Sequence, residues 1–78
     1  MTMIDRVKSV IVMRTGASSV FVELVQHLAW PGENLPISVN RAVATLDNEN
    51  LELYFDCLRS VRMGEDFTEL AESLRREY

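Results

Sequence analysis

Cysteine and histidine are almost missing from this sequence of 78 residues, which holds one of each, Cys57 and His27. A single cysteine excludes a disulfide within the chain. A conventional zinc site takes about four ligands from cysteine and histidine, and one chain offers two. We therefore predict no metal and no cofactor. The remaining aid to stability for so short a chain is oligomerisation.

The sequence also lacks any apolar run near the ~20 residues of a membrane span, so no membrane contact is predicted. The charged residues Asp5, Arg6 and Lys8 stand where a secretory signal would need an unbroken apolar core. Together with a lone free thiol, these features predict a location in the bacterial or otherwise reducing cytoplasm.

Cations are the scarcer charge. Eight basic residues stand against twelve acidic ones, for a formal net charge of −4. This balance disfavours bulk attraction to nucleic acid or to an anionic membrane. The charges are unevenly spread, because Arg6, Lys8 and Arg14 stand against Asp5 alone, whereas residues 47–56 hold acids and no cation.

Apolar residues, in contrast, are plentiful, at 47% of the sequence. A chain of this length hides only about 60–65% of its unfolded surface, so its stability margin is small. We predict an all-α fold of four to five short helices that fills residues 1–78 as a single domain. The broad apolar helical surface further predicts a homodimer with a largely apolar interface.

The first segment, residues 3–13, places its apolar residues at roughly helical spacing, although its β-branched density also fits a strand. Thr15 and Gly16 predict a break after it. A heptad-like phase continues across the break, so one helix from Ile4 to Ala29 is the alternative to two helices.

A second helix is predicted over residues 20–30, where apolar residues recur at the i, i+3, i+4 spacing of one face. Ser18 or Ser19 can cap its start. Pro31 ends it, because the residue before a proline is pushed out of the α region. Pro31 and Gly32 together predict a tight type II turn with glycine at the positive φ.

A third helix is predicted to follow this turn, with Asn34 as its cap and Pro36 in its first turn, where N–H groups lack partners anyway. It ends at Leu46. Its buried side is predicted to comprise Leu35, Val39, Ala42, Val43 and Leu46.

Residues 47–50 form a polar break that is rich in capping residues. The fourth helix after it carries an apolar stripe flanked by Leu53 and Cys57. The stripe comprises Leu51, Tyr54, Phe55, Leu58 and Val61. Gly64 follows the helix, at the place of a left-handed C-terminal residue.

Asp66 and Glu69 have the spacing of a capping box and predict the start of a fifth helix. Arg75 and Arg76 lie in its last turn, where the helix dipole favours cations. Its apolar side is predicted to comprise Phe67, Leu70, Ala71, Leu74 and Tyr78.

Nucleophilic catalysis would need Cys57 near His27, with Asp56 as an orienting group. Cys57 lies next to the apolar stripe of a helix, where a cysteine is usually a small buried hydrophobe. His27 is expected on the surface or rim of the second helix, with pH sensing at a dimer interface as the alternative. We predict no catalytic residue and a protein that is not an enzyme.

Residues 20–46 also fit a DNA-binding helix-turn-helix, in which the second helix would offer Ser38, Asn40, Arg41 and Thr45 to a groove. The single cation, the acidic residues that follow, the long turn and the negative total charge weigh against this interpretation. Nucleic acid is therefore not a predicted partner. A small DNA-binding transcriptional repressor is the alternative from a different functional class.

Trp30, Arg59 and Arg62 are the residues predicted to contact a protein partner. A tryptophan beside a turn often stays partly exposed until a partner covers it, and the alternative is a lid over Leu28 and Leu35. The arginines share one flank of the fourth helix. The residues predicted for the core or the dimer interface are Phe21, Leu24, Val25, Leu28, Leu46, Leu51, Tyr54, Phe55 and Leu58.

The turn Gly32-Glu33-Asn34-Leu35 lies between an apolar helix and a helix that ends in leucine followed by an acidic residue. This order, over residues 20–63, resembles the small enterobacterial biofilm-development and acid-resistance regulators, also described as two-component-system connector proteins. The resemblance implies a helical homodimer that binds regulatory proteins of a signalling phosphorelay without catalysis. It carries over no functional residue, because the shared positions are turn and core positions.

The sequence thus predicts a small non-enzymatic regulatory protein that acts by protein–protein interaction. The predicted role is a connector or modulator of a bacterial signalling, stress or biofilm pathway. A phage- or plasmid-encoded inhibitor of a host protein is an alternative of the same class.

Overall fold

A computed structural model describes residues 2–77 of the chain. Five α-helices follow one another in it: α1 (Met3–Val12), α2 (Gly16–Ala29), α3 (Val39–Thr45), α4 (Asn48–Ser60) and α5 (Thr68–Glu77). Short 3₁₀ turns, Pro31–Glu33 and Val61–Met63, follow α2 and α4. The all-α class with four to five helices is therefore confirmed, and no strand occurs between residues 2 and 77.

Helix α2 is the centre of the fold, because each of the four other helices packs against it. Its residues Phe21, Leu24 and Val25 are fully buried. The ring of Phe21 meets the ring of Tyr54 from α4 edge-on, with 6.1 Å between the centroids. One continuous core results, to which every helix contributes.

Two separate helices, rather than one from Ile4 to Ala29, form the first third of the chain. Thr2 and Asp5 cap α1 reciprocally, each side chain accepting the other's backbone N–H. Arg14 then adopts a left-handed conformation with φ of 54°, which turns the chain before Thr15, the N-cap residue of α2. The helical interpretation of residues 3–13 is confirmed.

Ser18 and Ser19 do not cap α2, contrary to the prediction, because the helix begins two residues earlier, at Gly16. Ser18 is buried and joins the two helices instead. Its Oγ accepts the backbone N–H of Thr15 at 2.9 Å and donates to the carbonyl oxygen of Val10 at 2.9 Å. The hydroxyl thus satisfies one backbone group on each side of the corner.

The turn after α2 is not type II. Pro31 does end the helix, but Gly32 lacks the positive φ, which falls on Asn34 at 55°. The N–H groups of Glu33 and Asn34 bond back to Trp30 and Pro31, so the chain first makes a 3₁₀ turn. Asparagine then tolerates the left-handed position that closes it.

Helix α3 begins later than predicted, at Val39. Ser38 is its cap, accepting the N–H of Arg41 at 3.2 Å, while Pro36 lies in the segment before it. The predicted buried side is wrong in part. Ala42 and Leu46 are buried and Leu35 is half-buried, but Val39 and Val43 are 44% and 53% exposed.

Helix α4 begins at Asn48, inside the predicted polar break, because Asp47 caps it by accepting the N–H of Asn50 at 2.8 Å. Its most buried residues are Leu53, Tyr54 and Cys57. The predicted stripe is therefore rotated from the true buried face. Of its other members, Val61 is exposed, and three are half-buried: Leu51, Phe55 and Leu58.

The last helix matches its prediction closely. Gly64 has the predicted left-handed φ of 94° after α4. In place of the predicted capping box with Glu69, Asp66 accepts the N–H of Thr68, two residues on, at 2.9 Å. Arg75 and Arg76 lie in the last turn. The buried residues are Phe67, Leu70, Ala71 and Leu74. The predicted place of Tyr78 lies outside the described residues.

Within the described part of the chain, no helix combines the length and the apolarity that a membrane crossing requires.

Candidate protein-contact surfaces

Cys57 is fully buried in α4. Burial raises the pKa of its thiol from the ordinary 9.0 to about 12, and the neighbouring carboxylate of Asp56 acts in the same direction. The thiol therefore stays protonated at physiological pH, which is the opposite of what a nucleophile or a metal ligand needs. The prediction that Cys57 is buried is confirmed.

His27 has a structural contact on the flank of α2. Its Nδ1 lies 2.5 Å from the carbonyl oxygen of Leu35, and the ring is half-buried. A carbonyl oxygen only accepts, so Nδ1 carries the hydrogen. The ring thus ties the end of α2 to the segment before α3. Among residues 2–77, no three His, Cys, Asp or Glu side chains group as a metal site would require.

Trp30 is half-buried and is covered by its own chain. The guanidinium carbon of Arg75 lies 4.0 Å from the centroid of the indole ring, and an Arg75 nitrogen lies 3.5 Å from a Glu33 carboxylate oxygen. These three residues, the Trp30 clasp, connect the turn after α2 to the last turn of α5. Partner contact by Trp30 stays a prediction, and it would require Arg75 to move or to share the ring.

Replacement of Arg75 by glutamine is expected to open the Trp30 clasp. The free energy of unfolding should fall by about 0.5–1 kcal/mol, the value of a cation–π contact at an exposed site. Because Trp30 is the only tryptophan, its fluorescence emission reports the change directly and should shift to the red as water reaches the ring. Arg76→Gln, at the next position of α5, which is also exposed, is the matched control. Equal spectra for the two variants would contradict the clasp.

The helix-turn-helix interpretation would place α3 in a DNA groove, but two of the four polar residues that it would offer there, Ser38 and Arg41, form bonds within the chain. Arg41 donates from Nη1 to Glu23 at 2.8 Å and from Nη2 to Ser19 at 2.5 Å. Ser38 is the helix cap. The one cation of the segment is thus bound to α2. The expectation that nucleic acid is not a partner stays a prediction.

Arg59 and Arg62, the other predicted contact residues, are both exposed at the C-terminal end of α4 and in the turn after it. Arg59 forms an ion pair with Asp56 one turn earlier. Val61 and Met63 surround Arg62, and Met63 is 89% exposed. This end of α4 is therefore both basic and apolar.

The nine residues predicted for the core or the dimer interface divide into two groups. Five are buried within one chain: Phe21, Leu24, Val25, Leu46 and Tyr54. Four are half-buried: Leu28, Leu51, Phe55 and Leu58. Only the second group retains surface that another molecule can contact.

A groove at the corner between α1 and α2 was not predicted. It has a volume of about 390 Å³ and is lined mainly by apolar surface, with Ile11 and Val22 on its walls and Arg14 and Glu23 among its polar residues. Val12 and Met13 stand between the lining residues Ile11 and Arg14 in the sequence and are each 72% exposed. They border two adjoining hollows, one of which shares Ile11 and the other Thr15 with the groove. We call the groove with these two side chains the corner surface. The only sequence signal for it is that apolar residues 10–13 are too many for one helix face.

Comparison of the chain with protein-family models, with curated proteins and with solved structures finds no match.

Proposed function

We propose that this chain is a small non-enzymatic regulatory protein of the bacterial cytoplasm that acts as a homodimer by binding another protein. The role that we propose is that of a connector in a signalling, stress or biofilm pathway, as the resemblance of residues 20–63 implies. The corner surface carries the proposal. Two large apolar side chains, Val12 and Met13, stand 72% exposed at the end of α1, and the next residues, Arg14 and Thr15, line an apolar groove. Covering such a patch with a partner removes it from water, which is favourable.

The groove of the corner surface is lined mainly by apolar surface and holds one side chain of each charge. These are Arg14 and Glu23, and the carboxylate of Glu23 is bound to Arg41 at 2.8 Å. A largely apolar partner segment matches this lining, and binding there removes apolar surface of both molecules from water.

The two candidate chemical groups of the chain support a role without catalysis. The thiol of Cys57 has its pKa raised to about 12 by burial. Nδ1 of His27 is bound to the carbonyl oxygen of Leu35. Each group therefore has a place in the packing of the fold rather than in a catalytic arrangement.

Replacement of Met13 by aspartate is expected to weaken partner binding at least tenfold, because it puts a charge on one of the two exposed apolar side chains of the corner surface. The measurement is affinity capture from the native cytoplasm with mass spectrometry, comparing the protein recovered by wild type and by variant. Val43→Asp is the matched control, since Val43 is also an exposed apolar residue on a helix. Circular dichroism checks that both variants fold.

The proposal fails if Met13→Asp captures the same protein in the same amount as wild type. It also fails if Val43→Asp loses as much binding as Met13→Asp, because the effect would then reflect added charge and not the corner surface.

A further inference from the structure

The outward side of α4 carries opposite charges at its two ends. Leu53, Tyr54 and Cys57 face the core, so the residues on the other side of the helix face water. Glu49 and Glu52 are exposed in the first half, and Arg59 and Arg62 are exposed at the end and in the following turn. Phe55, half-buried, and Asp56 lie midway between the two charged ends. We call these six residues the α4 outer face.

The charges of the α4 outer face are spaced symmetrically about its middle. Glu52 is three residues before Phe55, and Arg59 is three residues after Asp56. Glu49 is six residues before Phe55, and Arg62 is six residues after Asp56. A two-fold axis that passes between Phe55 and Asp56 would therefore bring each acid of one copy opposite an arginine of a second copy.

We propose that a second copy of this chain binds the α4 outer face, with the two α4 helices antiparallel about that axis. Glu52 faces Arg59 of the second copy, and Glu49 faces its Arg62, which gives four ion pairs across the contact. This inference deepens the homodimer of the proposed function by naming its surface. A two-fold contact uses the same patch on both copies, so the patch must be complementary to itself. The α4 outer face meets that condition through its charges.

Ion pairs at a surface each contribute little binding free energy. Apolar surface at the centre and the ends of the α4 outer face therefore supplies most of it. Phe55 lies beside the axis, and its ring is held edge-on against Tyr54 at 5.8 Å. An aromatic residue near the centre of an interface is where binding energy concentrates. Met63, 89% exposed just beyond Arg62, adds apolar surface at each end.

Asp56 is the one charged group of the α4 outer face that antiparallel pairing brings near its own equivalent, because it lies beside the axis. Its carboxylate is bound to Arg59 of the same chain, which offsets its charge. Parallel pairing of the helices would instead place Glu52 on Glu52 and Arg59 on Arg59, where like charges repel. The antiparallel arrangement is therefore the one that the charges select.

A charge exchange tests the contact. Glu52→Arg and Arg59→Glu, made singly, each put like charges opposite one another twice per dimer, and each should raise the dissociation constant of the dimer at least tenfold. The double variant E52R/R59E restores opposite charges in the reverse sense and should recover wild-type affinity within about threefold. Sedimentation equilibrium of the purified protein over a range of concentrations gives these constants, and added salt should weaken the wild-type dimer.

Glu72→Arg and Arg76→Glu, on exposed positions of α5, make the same changes in charge elsewhere and should leave the dimer unchanged. All four substituted positions are exposed and lie outside the core. Circular dichroism checks that each variant folds. A wild-type protein that stays monomeric up to about 1 mM overturns the inference. So do single variants that dimerise normally, and so does a double variant as weak as the singles.

The outcomes separate this inference from partner binding at the corner surface. A monomeric wild type that still captures its partner, and loses it on Met13→Asp, overturns the α4 contact together with the homodimer and leaves partner binding at the corner surface supported. If the dimer is intact and depends on charge as predicted, but Met13→Asp captures as much partner as wild type, partner binding at the corner surface alone is overturned.

Discussion

Replacement of Phe21 by alanine is expected to lower the free energy of unfolding by about 3–5 kcal/mol. Phe21 is fully buried on α2, the central helix, and its ring packs edge-on against Tyr54 of α4. Removing the ring loses the favourable free energy of its transfer from water into the core. It also leaves a cavity where the two helices are in contact. Surrounding side chains that already belong to one continuous core can fill it only in part.

The short length of the chain makes this loss large in relative terms. Domains have about 0.05–0.15 kcal/mol of stability per residue, so 78 residues supply about 4–12 kcal/mol in all. Urea unfolding followed by circular dichroism, at one fixed protein concentration, measures the difference. Val43→Ala, at an exposed position of α3, is the control and should change stability by less than about 0.5 kcal/mol. A loss below about 1 kcal/mol for Phe21→Ala would mean that α2 is not the centre of the core.

The sequence predicts where helices exist better than it predicts which side they bury. The periodicity of α4 identifies a helix, but apolar residues cover more than half of its circumference. Pattern alone therefore selects Leu51, Phe55 and Leu58 as readily as Leu53 and Cys57 for the centre of the buried side. The contact of Tyr54 with Phe21 decides between them, and that contact joins residues far apart in the sequence.

Helix starts and turns were mispredicted wherever a capping residue has several competitors nearby. Ser18, Ser19 and Asn34 are all good capping residues. Ser18 joins two helices because the carbonyl oxygen of Val10 lies within reach of its hydroxyl. Asn34 closes a 3₁₀ turn, in which the backbone N–H groups of Glu33 and Asn34 bond to Trp30 and Pro31. The outcome for Ser18 depends on a second segment of chain, which local propensity does not contain.

The candidate surfaces differ in how far the sequence could reveal them. The charges of the α4 outer face lie on one helix, so their spacing is readable once the helix and its buried side are known. The corner surface exists because α1 and α2 meet at the left-handed Arg14. The Trp30 clasp joins residues that are 45 positions apart, Trp30 and Arg75. Neither the angle between two helices nor such a distant contact follows from periodicity.

Alkaline pH is expected to destabilise the fold through Cys57. Burial raises the pKa of this thiol from 9.0 to about 12 in the folded protein. Below pH 9 the thiol is protonated in both states and contributes no pH dependence. Between pH 9 and 12 the unfolded chain releases the proton while the folded chain keeps it. The free energy of unfolding should therefore fall by about 1.4 kcal/mol per pH unit over this range, or about 4 kcal/mol in total.

A Cys57→Ala variant isolates this effect from the other groups that titrate above pH 9. The pKa of Tyr54 is also raised, by burial and by the nearby charge of Glu23, so it too destabilises the fold at high pH. That contribution is common to both proteins. Urea unfolding of wild type and Cys57→Ala at pH 8, 9, 10 and 11 measures both free energies of unfolding. The difference between the two proteins should stay constant up to pH 9. Beyond it wild type should lose about 2–3 kcal/mol more than Cys57→Ala by pH 11. The constant offset at neutral pH reports the small cavity that alanine leaves. Curves that stay parallel to pH 11 would mean that the thiol ionises as easily in the folded chain as in the unfolded one.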